Sequence, residues 1–200
     1  MKNTILTKYG GIALTTLFGI IVFLFWRFIY PHALVYQEQY QLFLFDSLYI
    51  FGRIGLPGGT ATLIAECLTQ FYNHPTIGAI IQSLLLVGVQ LMTWMLMKQN
   101  GQKVFLYLSS FIPALILWYT LGDESILTSY TLSLLIVLTT MKLHSGSDWY
   151  ALIIVPLLYW IAGPLMLLYA LFISIRSTRN KSYVVGVGIL LYAVCCIAIS

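Results

Sequence analysis

Long apolar stretches without a charged residue alternate with short polar segments along the whole chain. Six stretches of 17 to 27 residues contain no Lys, Arg, Asp or Glu. A helix needs about 20 residues to cross the hydrocarbon core of a bilayer at 1.5 Å per residue. The pattern therefore predicts an all-α fold, a polytopic bundle of transmembrane helices in a lipid bilayer, with spans at about 9–29, 75–97, 104–120, 126–141, 150–175 and 183–200.

The segment between the first two spans is too polar to cross a membrane and too apolar to be a free loop. Its residues 33–51 are predicted to form one helix, rich in aromatic side chains, and residues 60–73 a second helix. Aromatic residues concentrate where a helix lies in the membrane interface. The second helix carries a narrow polar stripe at helical spacing, namely Thr62, Glu66, Gln70 and Asn73. Both helices are expected to lie in the first outer loop, as a platform at the outer surface.

The stretch 150–175 is unusual because a Gly-Pro pair interrupts it near its middle. Pro164 follows Gly163, and a helix would be expected to break or kink there. The two resulting arms of about 13 residues would each be only about 20 Å long. The sequence is compatible with a short-helix hairpin that returns to its side of entry, which we prefer, or with a single kinked span.

Composition and charge distribution narrow the class of protein. The chain has 10 Lys and Arg, 6 Asp and Glu, and 60% hydrophobic residues; about 25% charged residues are expected in a soluble domain. Basic residues occur singly or in threes rather than along one face, which argues against a nucleic-acid partner. With a cytoplasmic amino terminus and the hairpin, eight of ten cations lie inside and five of six acids outside, as the positive-inside rule requires.

The chain shows no internal repeat or linker, so residues 1–200 are read as a single membrane domain. The first span exceeds the 7 to 15 apolar residues of a cleavable signal and is read as an uncleaved anchor. Because the sequence stops inside an apolar segment, we expect it to be the N-terminal part of a longer protein.

Acidic and basic residues predicted on the outer side are the candidates for chemistry. Asp123 and Glu124 form a short turn that either caps the next helix or offers oxygen ligands to a divalent cation near a phosphate. Glu38 and Asp46 are candidates for a general base or a further ligand. Arg27 and Arg53 are weaker candidates for binding phosphate, because an arginine at such a position more often snorkels toward the membrane surface.

Several short motifs resemble an uncharacterised family of multi-span inner-membrane proteins from anaerobic gut bacteria. They are the stretch Tyr30-Pro31-His32, the residues 36–45, the stretch Pro57-Gly58-Gly59 and the stretch Gln70-Phe71-Tyr72. Nothing in that family assigns a reaction. The resemblance implies a location in the bacterial inner membrane.

The layout over residues 30–145 is similar to the membrane half of GT-C glycosyltransferases. Those enzymes use polyprenyl-phosphate sugars and place acids in the first and second outer loops. The resemblance implies that Glu38 or Asp46 corresponds to the first-loop acid, and Asp123 with Glu124 to the second. The chain departs from the pattern at the first loop, because Glu38 stands alone between Gln37 and Gln39 instead of in an acidic pair.

Two hypotheses of different classes follow. In the first, the protein transfers a sugar from a lipid-phosphate carrier at the outer face of the membrane. In the second, it is a non-catalytic membrane scaffold or assembly subunit whose outer loop binds a protein partner. Conservative neutralisation of the acids separates them, because only catalysis depends on those carboxylates.

Overall fold

A computed structural model describes residues 2–98, 104–123, 126–144, 147–179 and 182–199. These residues form helices and turns without any strand, which confirms the predicted all-α fold. Three helical segments in these ranges are long and apolar enough to cross a membrane: Gly10–Ile29, Pro75–Met97 and Ala151–Arg179. The chain thus has the helices of a membrane protein, and shorter apolar helices cover the other predicted spans: Val104–Thr120, Thr128–Leu143 and Tyr183–Ala198.

Helices follow one another with short connections. The α-helices are α1 (Lys2–Leu24), α2 (Pro31–Tyr40), α3 (Ser47–Ile54), α4 (Gly59–Thr69), α5 (Pro75–Met97), α6 (Val104–Ser109), α7 (Ile112–Thr120), α8 (Thr128–Leu143), α9 (Ala151–Ala162), α10 (Met166–Arg179) and α11 (Tyr183–Ile199). A π-helical turn, Phe25–Ile29, extends α1. Short 3₁₀ turns occupy Gln70–Asn73, Asp148–Tyr150 and Gly163–Leu165.

The chain divides into two compact units. The first unit comprises Met1–Phe43 and Ala65–Thr131, and the second comprises Leu44–Ile64 and Leu132–Ser200. The chain passes between the units at three points, after residue 43 in the non-helical segment that follows α2, after residue 64 inside α4 and after residue 131 inside α8.

The first unit is built on the packing of α1 against α5. Gly19 lets the two helices approach, since a Cβ atom there would come 3.1 Å from Val87. The fully buried side chains include both apolar groups such as Trp26 and the amides of Gln82 and Gln90. Large apolar side chains such as Leu84 are exposed instead. Polar groups inside and apolar groups outside are the arrangement expected of a bundle surrounded by lipid.

The second unit is centred on α10 and α11. Gly186 of α11 lies directly against Ser174 of α10, where an added Cβ atom would come 3.0 Å from the Ser174 carbonyl oxygen. Tyr169 and Ile173 of α10 are fully buried. Close contact between small residues is a common way for membrane helices to associate.

The helix predicted over 33–51 is divided in the structure. α2 ends at Tyr40, residues 41–46 are non-helical, and α3 begins at Ser47. The carbonyl oxygen of Gln41 accepts hydrogen bonds from Gln70 Nε2 at 3.0 Å and Thr69 Oγ1 at 3.5 Å. These tertiary donors replace the backbone donor that a continuing helix would supply, and they account for the end of α2.

Two other predicted helices are also less regular than expected. Residues 104–120 form α6 and α7 with a turn between them, because Pro113 at the start of α7 has no N–H to continue the ladder of α6. Residues 60–73 form α4 followed by the 3₁₀ turn at Gln70–Asn73.

The predicted break at Gly163-Pro164 is present and is covered by the loop between α3 and α4. In an uninterrupted helix the Trp160 carbonyl would accept the N–H of residue 164, but proline has none. The backbone N–H of Gly58 donates to this carbonyl at 2.9 Å and to that of Tyr159 at 3.2 Å. Trp160 Nε1 in turn donates to the Ile54 carbonyl. The loop between α3 and α4 therefore supplies a donor to the end of α9, and the Trp160 side chain supplies a donor to the end of α3.

His144, the residue that follows α8, is hydrogen-bonded to two side chains of α10. His144 Nδ1 and Tyr169 Oη are 2.9 Å apart, and Arg176 Nη1 donates to the His144 carbonyl at 3.3 Å. These contacts connect the segment that precedes the two predicted arms, α9 and α10, to the second arm, and they are compatible with both the hairpin and the single kinked span. The path of these arms through a bilayer stays a prediction.

We predict that Gly163→Ala destabilises the protein by about 1–3 kcal/mol. Gly163 has φ 67° and ψ −149°, a conformation that is essentially restricted to glycine. An added Cβ atom would come 3.4 Å from Gly58 Cα, an ordinary van der Waals contact, so the expected cost comes from the backbone conformation. The midpoint of thermal unfolding in detergent micelles measures the effect. Gly188→Ala is the control, since nothing lies within 4 Å of a Cβ atom there; equal midpoints for the two variants would contradict the prediction.

Candidate functional site

The acidic turn predicted between the third and fourth spans lies between α7 and α8 in the first unit. Asp123 is exposed, its N–H donates to the Thr120 carbonyl at 2.9 Å, and its carbonyl accepts the Ile126 N–H at 3.1 Å. Glu124 lies outside the described residues. The predicted role of the Asp123-Glu124 pair as ligands of a divalent cation therefore stays a prediction.

One side chain, Gln37 of α2, closes the two ends of this turn. Gln37 Nε2 donates to the Leu121 carbonyl at 3.5 Å and to the Ile126 carbonyl at 3.4 Å. Gln37 is fully buried, so water does not compete for these bonds. The residue thus connects α2 to the acidic turn and helps to position Asp123.

Gln37 is itself held by a buried polar cluster of Gln82, Thr128 and Tyr72. Gln37 Oε1 accepts from Gln82 Nε2 at 3.4 Å and from Thr128 Oγ1 at 3.5 Å. Tyr72 Oη lies 3.5 Å from Thr128 Oγ1. Burial raises the pKa of the Tyr72 phenol, which keeps its proton available for this bond. We call these four residues the amide cluster; it joins α2, α5 and α8 beneath the acidic turn.

A cleft of about 690 Å³ opens beside Asp123. Its walls combine aromatic and aliphatic side chains with one carboxylate: Phe25, Leu115, Trp118, Tyr119, Thr120, Gly122, Asp123 and Ile126. The rings of Phe25 and Trp118 meet edge to face, with centroids 5.3 Å apart. Such a surface offers apolar contact to a lipid or sugar ring and one strong hydrogen-bond acceptor.

The other predicted site residues lie elsewhere in the two units. In the first unit, Glu38 is half-buried near the end of α2, and Arg27 is half-buried with its guanidinium 5.3 Å from the Phe28 ring centroid. Neither lines the cleft. In the second unit, Asp46 is exposed immediately before α3, and Arg53 lies 5.5 Å from the Tyr49 ring centroid. The structure thus brings only Asp123 of the described candidates into the cleft.

Two residues of interest were not predicted as site residues. Gln37 entered the sequence argument only as a neighbour of Glu38, and no local pattern distinguishes a glutamine that clamps a turn from one on a surface. Glu66 is only 4% exposed, although it was interpreted as part of a polar stripe. Gln70, another residue of that stripe, donates a hydrogen bond to the Gln41 carbonyl at the end of α2. The stripe is therefore covered by the protein on the side that faces α2.

No cluster of three or more His, Cys, Asp or Glu side chains able to hold a metal ion occurs within the described residues. A metal bound by Asp123 would therefore need ligands from undescribed residues such as Glu124, or from the substrate.

We predict that Gln37→Leu loosens the acidic turn and lowers the free energy of unfolding by about 1–3 kcal/mol, because the buried Leu121 carbonyl and the part-buried Ile126 carbonyl lose their donor. Hydrogen–deuterium exchange over residues 120–127 should accelerate, while exchange in α11 should not change. Gln39→Leu is the matched control, since Gln39 is exposed on the same helix. Equal exchange in the two variants would argue against the clamp.

Comparison with known proteins identifies a family to which no reaction is assigned. No curated protein and no solved structure matches the chain. The similarity to GT-C glycosyltransferases and the origin in gut bacteria therefore rest on the sequence resemblance alone. A family model, in contrast, matches residues 6–200. The expected membership of an uncharacterised family is confirmed, and the chain belongs to the family of unknown function DUF6057.

Proposed function

We propose that this multi-pass membrane protein transfers a sugar from a polyprenyl-phosphate donor at the outer face of the bacterial inner membrane. The observation that carries the proposal is the aromatic cleft beside Asp123. An amphiphilic substrate needs an apolar wall, a flat surface for the sugar and a polar group at the reacting end, and the cleft supplies all three kinds of contact.

The lining suits a sugar attached to a lipid. Trp118 and Tyr119 provide aromatic surface on which a sugar ring can stack, and Leu115 provides aliphatic surface for an isoprenoid chain. The Asp123 carboxylate is the acidic group of this lining. The Gln37 bonds to Leu121 and Ile126 hold the turn from beneath, as a reaction that depends on geometry requires.

In the proposed reaction Asp123 acts as a general base. Its carboxylate accepts the proton of the acceptor hydroxyl, and the hydroxyl oxygen attacks C1 of the sugar. The bond between C1 and the phosphate oxygen breaks, and its electron pair leaves with the lipid phosphate. Arg27, which does not line the cleft, is the candidate for stabilising the departing phosphate because it is the cation predicted at the outer end of the first span, the same span that contributes Phe25 to the cleft.

The distribution of charge supports the outer location. With the amino terminus inside, Asp123 falls in the second outer loop, and the sixth acid, Asp148, falls on the inner side. The same change, aspartate to asparagine, can therefore be made at Asp123 on the predicted outer side and at Asp148 on the predicted inner side.

We predict that Asp123→Asn lowers sugar transfer about 100-fold or more, the usual effect of losing a general base. A deletion strain is complemented with the full-length wild type, Asp123→Asn, Glu124→Gln, Glu38→Gln or Asp46→Asn. Mass spectrometry then compares surface glycans and lipid-linked sugars at equal protein levels. Asp148→Asn is the matched control and should behave as the wild type.

The single variants also show which first-loop acid takes part, since only Glu38→Gln or only Asp46→Asn should reduce transfer. Wild-type glycan profiles in the deletion strain itself, or in all the acid variants, would contradict the transferase proposal.

A scaffold role is the second candidate, and a specific surface of the second unit favours it. Phe45, Leu48 and Phe51 are 90%, 82% and 73% exposed along the start and one edge of α3. Exposed apolar side chains in a segment outside the predicted spans are suited to a membrane surface or a protein partner.

We predict for the scaffold role that the double variant Leu48→Arg, Phe51→Arg abolishes crosslinking to an endogenous partner at normal protein levels. Binding would bury the two new arginine charges against an apolar partner surface, and removing them from water without a counter-charge is costly. Ser47→Arg, exposed on the same helix, is the control. A partner retained by the double variant would argue against this surface as its docking site.

A further inference from the structure

Two glutamines of α5, both fully buried in the first unit, differ in how completely their amides are hydrogen-bonded. Gln90 Oε1 accepts from Thr15 Oγ1 at 3.1 Å, and Gln90 Nε2 donates to Ser110 Oγ at 3.0 Å. Gln82 Nε2 donates at 3.4 Å to both Gln37 Oε1 and Thr128 Oγ1. Gln82 Oε1, in contrast, accepts no hydrogen bond within the described part of the chain, although it is buried.

Exchanging the nitrogen and oxygen of the Gln82 amide does not remove this difference. Gln37 must present its nitrogen to the carbonyls of Leu121 and Ile126, because carbonyls only accept hydrogen bonds. Its oxygen then faces Gln82, which must present a nitrogen in return. The neighbours therefore fix both amides in one orientation, and Gln82 Oε1 points away from the donors of the cluster.

The amide cluster has no hydrogen left for this oxygen. Both N–H groups of Gln37 go to carbonyls, and both of Gln82 go to Gln37 and Thr128. The Thr128 hydroxyl donates to Gln37 Oε1, and Tyr72 can then donate only to Thr128. What the cluster requires at Gln82 is consequently a donor or a positive charge from outside it.

The hydrogen bonds that hold the cluster together are long. Its contacts of 3.4–3.5 Å exceed the 2.7–3.2 Å of well-formed bonds. Thr131, one turn along α8 from Thr128, is a second buried hydroxyl that has no hydrogen-bond partner among the described residues.

We propose that Gln82 Oε1 marks an internal binding site for one small electropositive species, either the O–H of a water molecule or a monovalent cation. Both present positive charge to an amide oxygen, and both are small enough for a site enclosed by helices. The site is independent of sugar transfer, since it requires only the bonding pattern of the amide cluster and not a catalytic Asp123.

The test uses the full-length chain in lipid nanodiscs, as the wild type, Gln82→Leu and Gln90→Leu. A cryo-electron microscopy map with an antibody fragment as fiducial should show density about 2.7–3.2 Å from Gln82 Oε1 in the wild type and Gln90→Leu, but not in Gln82→Leu. Thermal midpoints in KCl, NaCl or NH₄Cl are compared with choline chloride at equal ionic strength.

The salt series separates the two sources. A cation should raise the midpoint of the wild type and Gln90→Leu by a few degrees, through preferential binding to the folded state, but not that of Gln82→Leu. Density without a cation-specific rise identifies water. A map that resolves other ordered waters, yet shows either a protein donor or only apolar atoms at Gln82 Oε1, would overturn the proposal.

Discussion

The structure depends on one constraint, which is that polar groups inside a lipid-surrounded bundle must find their partners within the protein. In the first unit, the uncharged amides of glutamine side chains provide such partners. Gln90 is bonded on both sides by hydroxyls of α1 and of the turn after α6, and Gln37 connects α2 to two carbonyls of the acidic turn. Because lipid gives helices little apolar reason to associate, these bonds and close packing select which helices meet.

In the second unit, the same constraint applies to hydrogen-bonding groups of the backbone. Pro164 leaves the Trp160 carbonyl without its helical donor, and Gly58 supplies that donor from another part of the chain. The exchange is possible because both loops reach the contact through glycines with positive φ, 73° at Gly58 and 67° at Gly163. A Cβ atom at Gly58 would come 3.2 Å from Gly163 Cα, which is tighter than ordinary contact, and at Gly163 the backbone conformation itself favours glycine. The broken helix and the loop between α3 and α4 therefore form a single structural feature.

The spacing of apolar and polar residues predicts helices whose existence depends on segment length and polarity. It does not predict helix ends that are set by tertiary hydrogen bonds. The helix over 75–97 follows from its apolar run alone, and Gly163-Pro164 breaks its helix for local reasons. The end of α2 at Tyr40 could not be predicted, because the donors to the Gln41 carbonyl come from Thr69 and Gln70. Asp123 was found because a carboxylate is conspicuous in an apolar chain. Gln37 was missed because its importance lies in two carbonyls that are 84 and 89 residues away.

The neutrality of the clamp is itself consistent with a base at Asp123. An arginine or lysine in the position of Gln37 could bind the same carbonyls, but it would require a counter-charge in a dry interior. The nearby carboxylate would provide that counter-charge, and a carboxylate stabilised by a cation is a weaker proton acceptor. A glutamine fixes the turn through its two N–H groups without adding charge. The turn is thereby bonded at both ends while the Asp123 carboxylate stays exposed beside the cleft, as the proposed role of a general base requires.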